Sequence, residues 1–464
     1  MTDLHYLSLA GVCRRMKSGE LSALEVTESM LGRIEALDSE LHSFAIVMAD
    51  DARAAAARLD KARADGKPLG ALHGVPVAVK DLFDTRGVAT ASGTRVMRDR
   101  VPEEDATVVR RLKDAGAVII GKTQLTEGAY GTHHPDVDPP RNPWEGGHWT
   151  GVSSSGSGVA VAAGLAFGAL GSDTGGSIRF PSACCGLVGI KPTYGRVSRH
   201  GAFPLAESLD HAGPMTRTVE DAGRLLQVLA GSDPNDATTQ PDPVPNYAAC
   251  AAESLPGLRV GVDWDYVSSG VDEPVVQTIR DALDTLRDLG ASVVDTQMPA
   301  SAATLVRGWG VTCGMECARA HREFYPDRKA EYGPVLAAFI DYGLAASRED
   351  YGLLETVRAE FRNALNGCLE HADVIIAPCM PELPPPLDAL EDESRRQSGR
   401  ADLITFTAPF NYSGHPTITL PAALNRGELP RAFQLIARPM GEPTLLRAGS
   451  AFERSVGLNE HPIP

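Results

Sequence analysis

Positive charge is in short supply in this chain. Lys and Arg total 44 against 60 Asp and Glu, a formal charge of -16. No basic stripe is dense enough to overrule that balance, which repels phosphate backbones, so a nucleic-acid partner is not expected. Long apolar runs are also missing. No stretch of about 18 residues is free of charged or turn residues, and the start, Met1-Thr-Asp-Leu-His5, has no basic segment leading into an apolar one. Neither a membrane span nor secretion is expected, and the reading is a cytoplasmic protein. The eight cysteines follow no framework spacing, and Cys184 and Cys185 are adjacent. Free thiols in a reducing compartment account for them more simply than disulfide staples do. There is no internal repeat, and no Gly-x-Ser-x-Gly, which excludes the strand-turn-helix nucleophile elbow.

What is present is an alternation of short apolar runs and amphipathic segments. Ser22-Ala-Leu-Glu25 is a capping box, followed by Val26, Met30, Ile34 and Leu37 at helical spacing. Ser43-Phe-Ala-Ile-Val47 and Val75-Pro-Val-Ala-Val79 read as buried strands, with an Ala-rich helix from about Ala49 to Ala64 between them. A helix over Asp105 to Ala115 precedes the strand Ala117-Val-Ile-Ile120. The segment Ser232 to Pro256, rich in Pro, Asp, Asn and Thr, reads as a long surface connection. Beyond it come a strand at Leu258 to Val262, a helix at Pro274 to Leu289, a mainly helical stretch to about Leu369, and strands at Val374 to Ala377, Thr417 to Leu420 and Ala432 to Ile436. The expected architecture is α/β: one large α/β/α sandwich whose central mixed, twisted sheet is covered by helices. Strands from both ends of the chain entering that sheet would leave residues 1–464 as a single domain.

The chemistry concentrates in Gly151-Val-Ser-Ser-Ser-Gly-Ser-Gly158 and Gly171-Ser-Asp-Thr-Gly-Gly-Ser-Ile-Arg179. Between them Val159 to Gly168 is small and apolar enough for a helix buried on all sides. A flexible linker would not be flanked by apolar segments or carry Asp173 and Arg179 at its centre. Two such loops folded onto one site would bring consecutive amides at Thr174, Gly175, Gly176 and Ser177 toward one oxyanion, with Ser177 supplying an attacking oxygen. Activating a serine needs a base, and a lysine serves only when neutral, which requires desolvation. The run Val75 to Val79 delivers Lys80 from a buried strand, the setting such a lysine needs.

These motifs resemble the amidase signature family over nearly the whole chain. The likeness is carried by Gly74-Val-Pro-Val-Ala-Val-Lys-Asp81, Gly121-Lys-Thr123, the Ser/Gly block, Gly186-Leu-Val-Gly-Ile-Lys-Pro-Thr193 and Gln434-Leu-Ile436. The resemblance implies an amidase, a hydrolase of carbon–nitrogen bonds other than peptide bonds, whose signature core spans about residues 60–230. A helical region over about 270–370 would contribute to the substrate cleft. It implies Ser177 as nucleophile, Ser153 as bridging serine after a cis Val152–Ser153 peptide, Lys80 as base, and Thr174, Gly175 and Gly176 as the oxyanion hole. Val152 departs from the small residue that precedes the bridging serine in many relatives. Asp173 and Arg179 are expected to brace the loop, and Tyr130 and Thr132 to line the substrate pocket. No cofactor and no metal are implied, the partner is a small-molecule amide, aryl amide or carbamate, and a homodimer is left open.

Other motifs are weighed and set aside. Gly116-Ala-Val-Ile-Ile-Gly-Lys-Thr123 matches a phosphate-loop pattern, but its middle residues are a strand run rather than an irregular turn. Cys313, Cys317 and His321 fall at helical spacing, yet no fourth zinc ligand accompanies them. His133 and His134 either line the pocket or cap a turn. The rival function is the glutamine-hydrolysing component of a tRNA-dependent amidotransferase. Such components usually carry Glu-Phe-Ala-Met-Gly-Ser-Ser where this chain has Glu127-Gly-Ala-Tyr-Gly-Thr-His133. A non-catalytic scaffold has no use for Lys80, Ser153 and Ser177 together.

Overall fold

The computed structural model describes residues 4–250, 255–325, 327–390, 401–458 and 460–463. Among these residues eleven strands form one mixed sheet. In chain order they are β1 (Phe44–Val47), β2 (Pro76–Lys80), β3 (Val118–Thr123), β4 (Gly168–Asp173), β5 (Val188–Lys191), β6 (His211–Thr216), β7 (Arg259–Val262), β8 (Ser292–Asp295), β9 (Val374–Ala377), β10 (Thr417–Ala423) and β11 (Arg431–Ala437). In space the order is β1-β3-β2-β4-β6-β5-β10-β11-β9-β7-β8. The β2–β3, β2–β4, β7–β8 and β7–β9 pairs are parallel and the others antiparallel. Late strands β10 and β11 sit mid-sheet, so segments far apart in sequence share one core. Every residue of β2, β3, β4 and β6 is buried, as strands covered on both faces must be.

The site follows from β2 and β4. They are parallel neighbours, with Ala78 opposite Ala169 and Val79 opposite Leu170. Their C-terminal ends therefore deliver Lys80 and Ser172–Asp173 to the same edge, the usual place for a ligand in an α/β sheet.

Two expectations need correction here. The buried helix is not Val159 to Gly168 but Ser155–Ala162, starting inside the first Ser/Gly block. Gly164 at φ 70° turns the chain out of it. The start of the second block, Gly171-Ser-Asp173, belongs to β4 rather than to a loop, because β2 and β6 pair with that strand on its two sides. Its glycine answers a close approach: a Cβ on Gly171 would lie 2.9 Å from Met215 Sδ and 3.1 Å from Ser154 Oγ. The long connection at Ser232 to Pro256 holds a short helix, Tyr247–Cys250, and its residues 251–254 lie outside the described set.

Candidate active site

Lys80 is fully buried at the end of β2. Its Nζ lies 2.7 Å from Ser153 Oγ, 2.9 Å from Ser154 Oγ and 2.9 Å from Ser172 Oγ. Among the described residues no carboxylate comes within ion-pair distance of it. Burial draws Lys80 down from the ordinary lysine value to about 7, opposed by the fields of Asp173 and Asp210. Ser154 and Ser172 carry no mark of this role in the sequence beyond lying in the Ser/Gly blocks. The Val152–Ser153 peptide is cis. Ser177 is nearly buried, and its carbonyl accepts from Ser154 N–H at 3.3 Å, so the two blocks close on each other beside Lys80.

The turn from Asp173 to Arg179 is organised by a buried ion pair. Arg179 donates to Asp173 through Nε at 3.0 Å and Nη2 at 2.8 Å, and both side chains have no exposed surface. The remaining capacity of that carboxylate goes to Gly176 N–H at 2.9 Å, Ile178 N–H at 3.1 Å and Asn411 Nδ2 at 2.8 Å. Burial pushes Asp173 up, but Arg179 and Asn411 more than offset it and hold the carboxyl well below the usual range. Gly176 N–H, one of the amides expected to line the oxyanion hole, is thus engaged by Asp173. Among the described residues the amides of Thr174, Gly175 and Ser177 have no protein acceptor. Arg179→Met strands a buried carboxylate and should cost about 3–5 kcal/mol. The measurement is the denaturant midpoint at unchanged slope; an unmoved midpoint contradicts the brace.

One side of this turn is aromatic. Tyr130 stacks on Phe339 with centroids 3.7 Å apart and planes 6° apart, and Trp309 lies nearly parallel to both, at 6.3 Å and 6.2 Å. Trp309 Nε1 donates to the Thr174 carbonyl at 3.1 Å, which ties the stack to the candidate oxyanion turn. Thr132 is instead exposed, beyond the bend at Gly131 (φ 57°). Its carbonyl accepts from Glu127 N–H, so it serves the turn. The two histidines part company. His133 Nε2 lies 3.0 Å from Ser155 Oγ, and burial, then the charge of Lys80, draws it down to about 4. His134 Nδ1 accepts from Asp136 N–H and caps a turn. A cavity of about 260 Å³ borders Ser172 and Thr174 and is lined also by Phe83, Asp210 and His211.

Lys122, the lysine of the phosphate-loop look-alike, lies on β3 and is fully buried. It pairs with Asp81 at 3.0 Å and donates to Thr90 at 2.8 Å. Cys313 and Cys317 are buried in helix Ser301–Ala320, and His321 Nδ1 lies 3.0 Å from the Tyr332 hydroxyl. No group of three or more His, Cys, Asp or Glu side chains among the described residues is placed to hold a metal, and no helix there is long and apolar enough to cross a membrane.

Comparison with known proteins identifies the family. The family model described as Amidase matches residues 25–446. A Mycobacterium tuberculosis protein bearing an amidase name, AmiD, is 46% identical over 459 residues, covering 99% of this chain and 96% of its own. The glutamyl-tRNA(Gln) amidotransferase chain of the A type from Roseiflexus sp. is 40% identical, with 98% and 97% covered. The crystal structure of a bacterial aryl acylamidase of the amidase signature family superposes with a TM-score of 0.87 at 28% identity, covering 97% and 96%. The chain belongs to the amidase signature family, and it hydrolyses carbon–nitrogen bonds other than peptide bonds.

Proposed function

We propose that the chain hydrolyses small aryl amides or carbamates through an acyl-enzyme on Ser177, with Ser153 passing the proton to Lys80. The observation that carries this reading is a buried lysine, free of any carboxylate partner among the described residues, 2.7 Å from a serine hydroxyl. A neutral amine has two N–H groups and one lone pair. Ser154 Oγ donates its own proton to the Ser172 carbonyl at 3.2 Å, so toward Lys80 it acts as acceptor. With Ser154 and Ser172 taking the two N–H groups, the lone pair falls to the hydroxyl of Ser153. Ser153 in turn accepts the proton of Ser177 as Ser177 Oγ bonds to the carbonyl carbon. Free backbone amides of the turn hold the oxyanion. Collapse breaks the C–N bond, and the departing nitrogen takes back the proton through Ser153. Water then repeats the sequence on the ester and releases the acid. Asp173 and Arg179 brace the turn, and no metal or cofactor enters any step.

The aromatic side supports the substrate class. Tyr130, Trp309 and Phe339 form a near-parallel aromatic cluster beside the turn, surroundings suited to a planar aryl group. The name of the Roseiflexus relative supports a second reading, a glutamine-hydrolysing component that needs a partner. Purified chain, without ATP or tRNA and with a chelator present, should release arylamine from an aryl amide or carbamate at least about tenfold faster than ammonia from glutamine. A chain silent on every small amide but active on glutamine once a partner protein is added contradicts the proposal.

A further inference from the structure

The peptide planes of the turn are held one by one. The Asp173 carbonyl accepts from Asn411 Nδ2 at 2.9 Å. The Thr174 carbonyl accepts from Trp309 Nε1 at 3.1 Å, the Gly175 carbonyl from Thr407 Oγ1 at 2.5 Å, and the Gly176 carbonyl from Phe180 N–H at 2.7 Å. In a trans peptide the C=O and the following N–H point in opposite directions, so holding one aims the other. The Gly175–Gly176 plane is held at both ends, because Gly176 N–H is taken by Asp173. Among the described residues the Thr174–Gly175 plane is held only at its carbonyl, by the indole, and Gly175 N–H is left free on the side facing away.

Two further contacts single out the indole. A Cβ on Gly175 would lie 3.0 Å from Trp309 Cε2 and Cζ2, so the ring lies directly against this glycine. Thr174 is anchored independently: its hydroxyl donates to half-buried Asp210 at 2.6 Å, and Asp210 also accepts from Leu205 N–H at 3.0 Å. With the Thr174 side chain fixed there, the indole governs the tilt of the peptide rather than the position of the residue.

We propose that Trp309 is a positioning residue for the oxyanion site: by holding the Thr174 carbonyl it aims Gly175 N–H at the developing charge, while its ring face forms part of the aryl-binding wall. Substrate recognition and transition-state stabilisation then run through one side chain. The inference rests on Ser177 as nucleophile.

The test uses Trp309→Phe, which keeps an aromatic face and deletes the donor. Loss of one oxyanion donor costs about 10²–10³-fold in kcat; a donor left present but unaimed should cost about 10- to 100-fold. KM for an aryl amide should stay within about threefold, and the pH dependence of the rate should not move. Affinity for an aryl boronic acid, which forms a tetrahedral adduct, should fall by the same factor as kcat/KM, while affinity for the aryl carboxylic acid product stays near wild type. Gly175→Ala, which crowds the indole without needing an unusual φ, should give the same split if the tryptophan variant fails to fold. Wild-type kcat in Trp309→Phe, or equal losses of boronate and product binding, overturns the inference. A phosphonate adduct away from Ser177 in the wild type would overturn the underlying nucleophile assignment instead.

Discussion

Ser177→Ala should fold as the wild type does and lose at least about 10³-fold in kcat. The fold is expected to survive because the turn is held by groups other than the Ser177 hydroxyl. Arg179, Asn411, Thr407 and Trp309 bind the carboxylate and carbonyls of residues 173–175, and none of these bonds uses Ser177 Oγ. The chemical loss is large because the acyl-enzyme has no other oxygen to form on. Ser153 is committed to Lys80, and Ser154 to the Ser172 carbonyl. The free amides of the turn remain, so some rate over water should persist from oxyanion stabilisation alone. A Ser177→Ala chain with unaltered melting behaviour and near wild-type turnover contradicts the nucleophile assignment.

Lys80→Ala should remove about 10²–10⁴-fold of rate, the usual contribution of a positioned general base, and should abolish the pH limb that the lysine supplies. The sign follows from its protonation. Charged Lys80 has no lone pair and is inactive as a base. With burial holding it at about 7, kcat/KM should rise with pH, reach half its limit near pH 7 and level off above. An ordinary lysine would place that midpoint more than about three units higher. Asp210 offers a directional check, because its charge raises Lys80. Asp210→Asn should therefore move the limb to lower pH. A Lys80→Ala chain keeping both rate and pH profile, or a limb moving upward in Asp210→Asn, contradicts the proposed base.

The parts of this site that are legible in the sequence are those whose chemistry leaves a local mark. The apolar run ending at Lys80 announces a buried strand, and Thr174-Gly-Gly-Ser177 between apolar segments announces a tight turn near a ligand. The helix Ala49–Ala64 and the strand Val374–Ala377 have the bounds that periodicity and composition suggest. β6 is not among the expected strands, since His211-Ala-Gly-Pro-Met-Thr216 carries a glycine and a proline and no apolar run. It is a strand because β4 and β5 flank it, with Pro214 opposite Leu170 despite its missing donor. Ser172 and Ser154 become visible only when β2 and β4 bring them to Lys80. Trp309, Thr407 and Asn411 reach the turn from positions 135 to 238 residues away along the chain. No local pattern encodes such contacts. The engagement of Gly176 N–H by Asp173 is hidden for a similar reason: which amides of a Gly-Gly turn stay free depends on which carboxylate reaches them.

Mass mapping of a covalent adduct tests the central claim most directly. Wild-type chain treated with an aryl phosphonate should lose activity as one equivalent is bound, and the adduct should map to the peptide containing Ser177. The rate of labelling should rise with pH around 7, because the same neutral lysine activates the attacking oxygen. An adduct on Ser153, Ser154 or any other residue, or labelling of Ser177→Ala at the wild-type rate, contradicts the account.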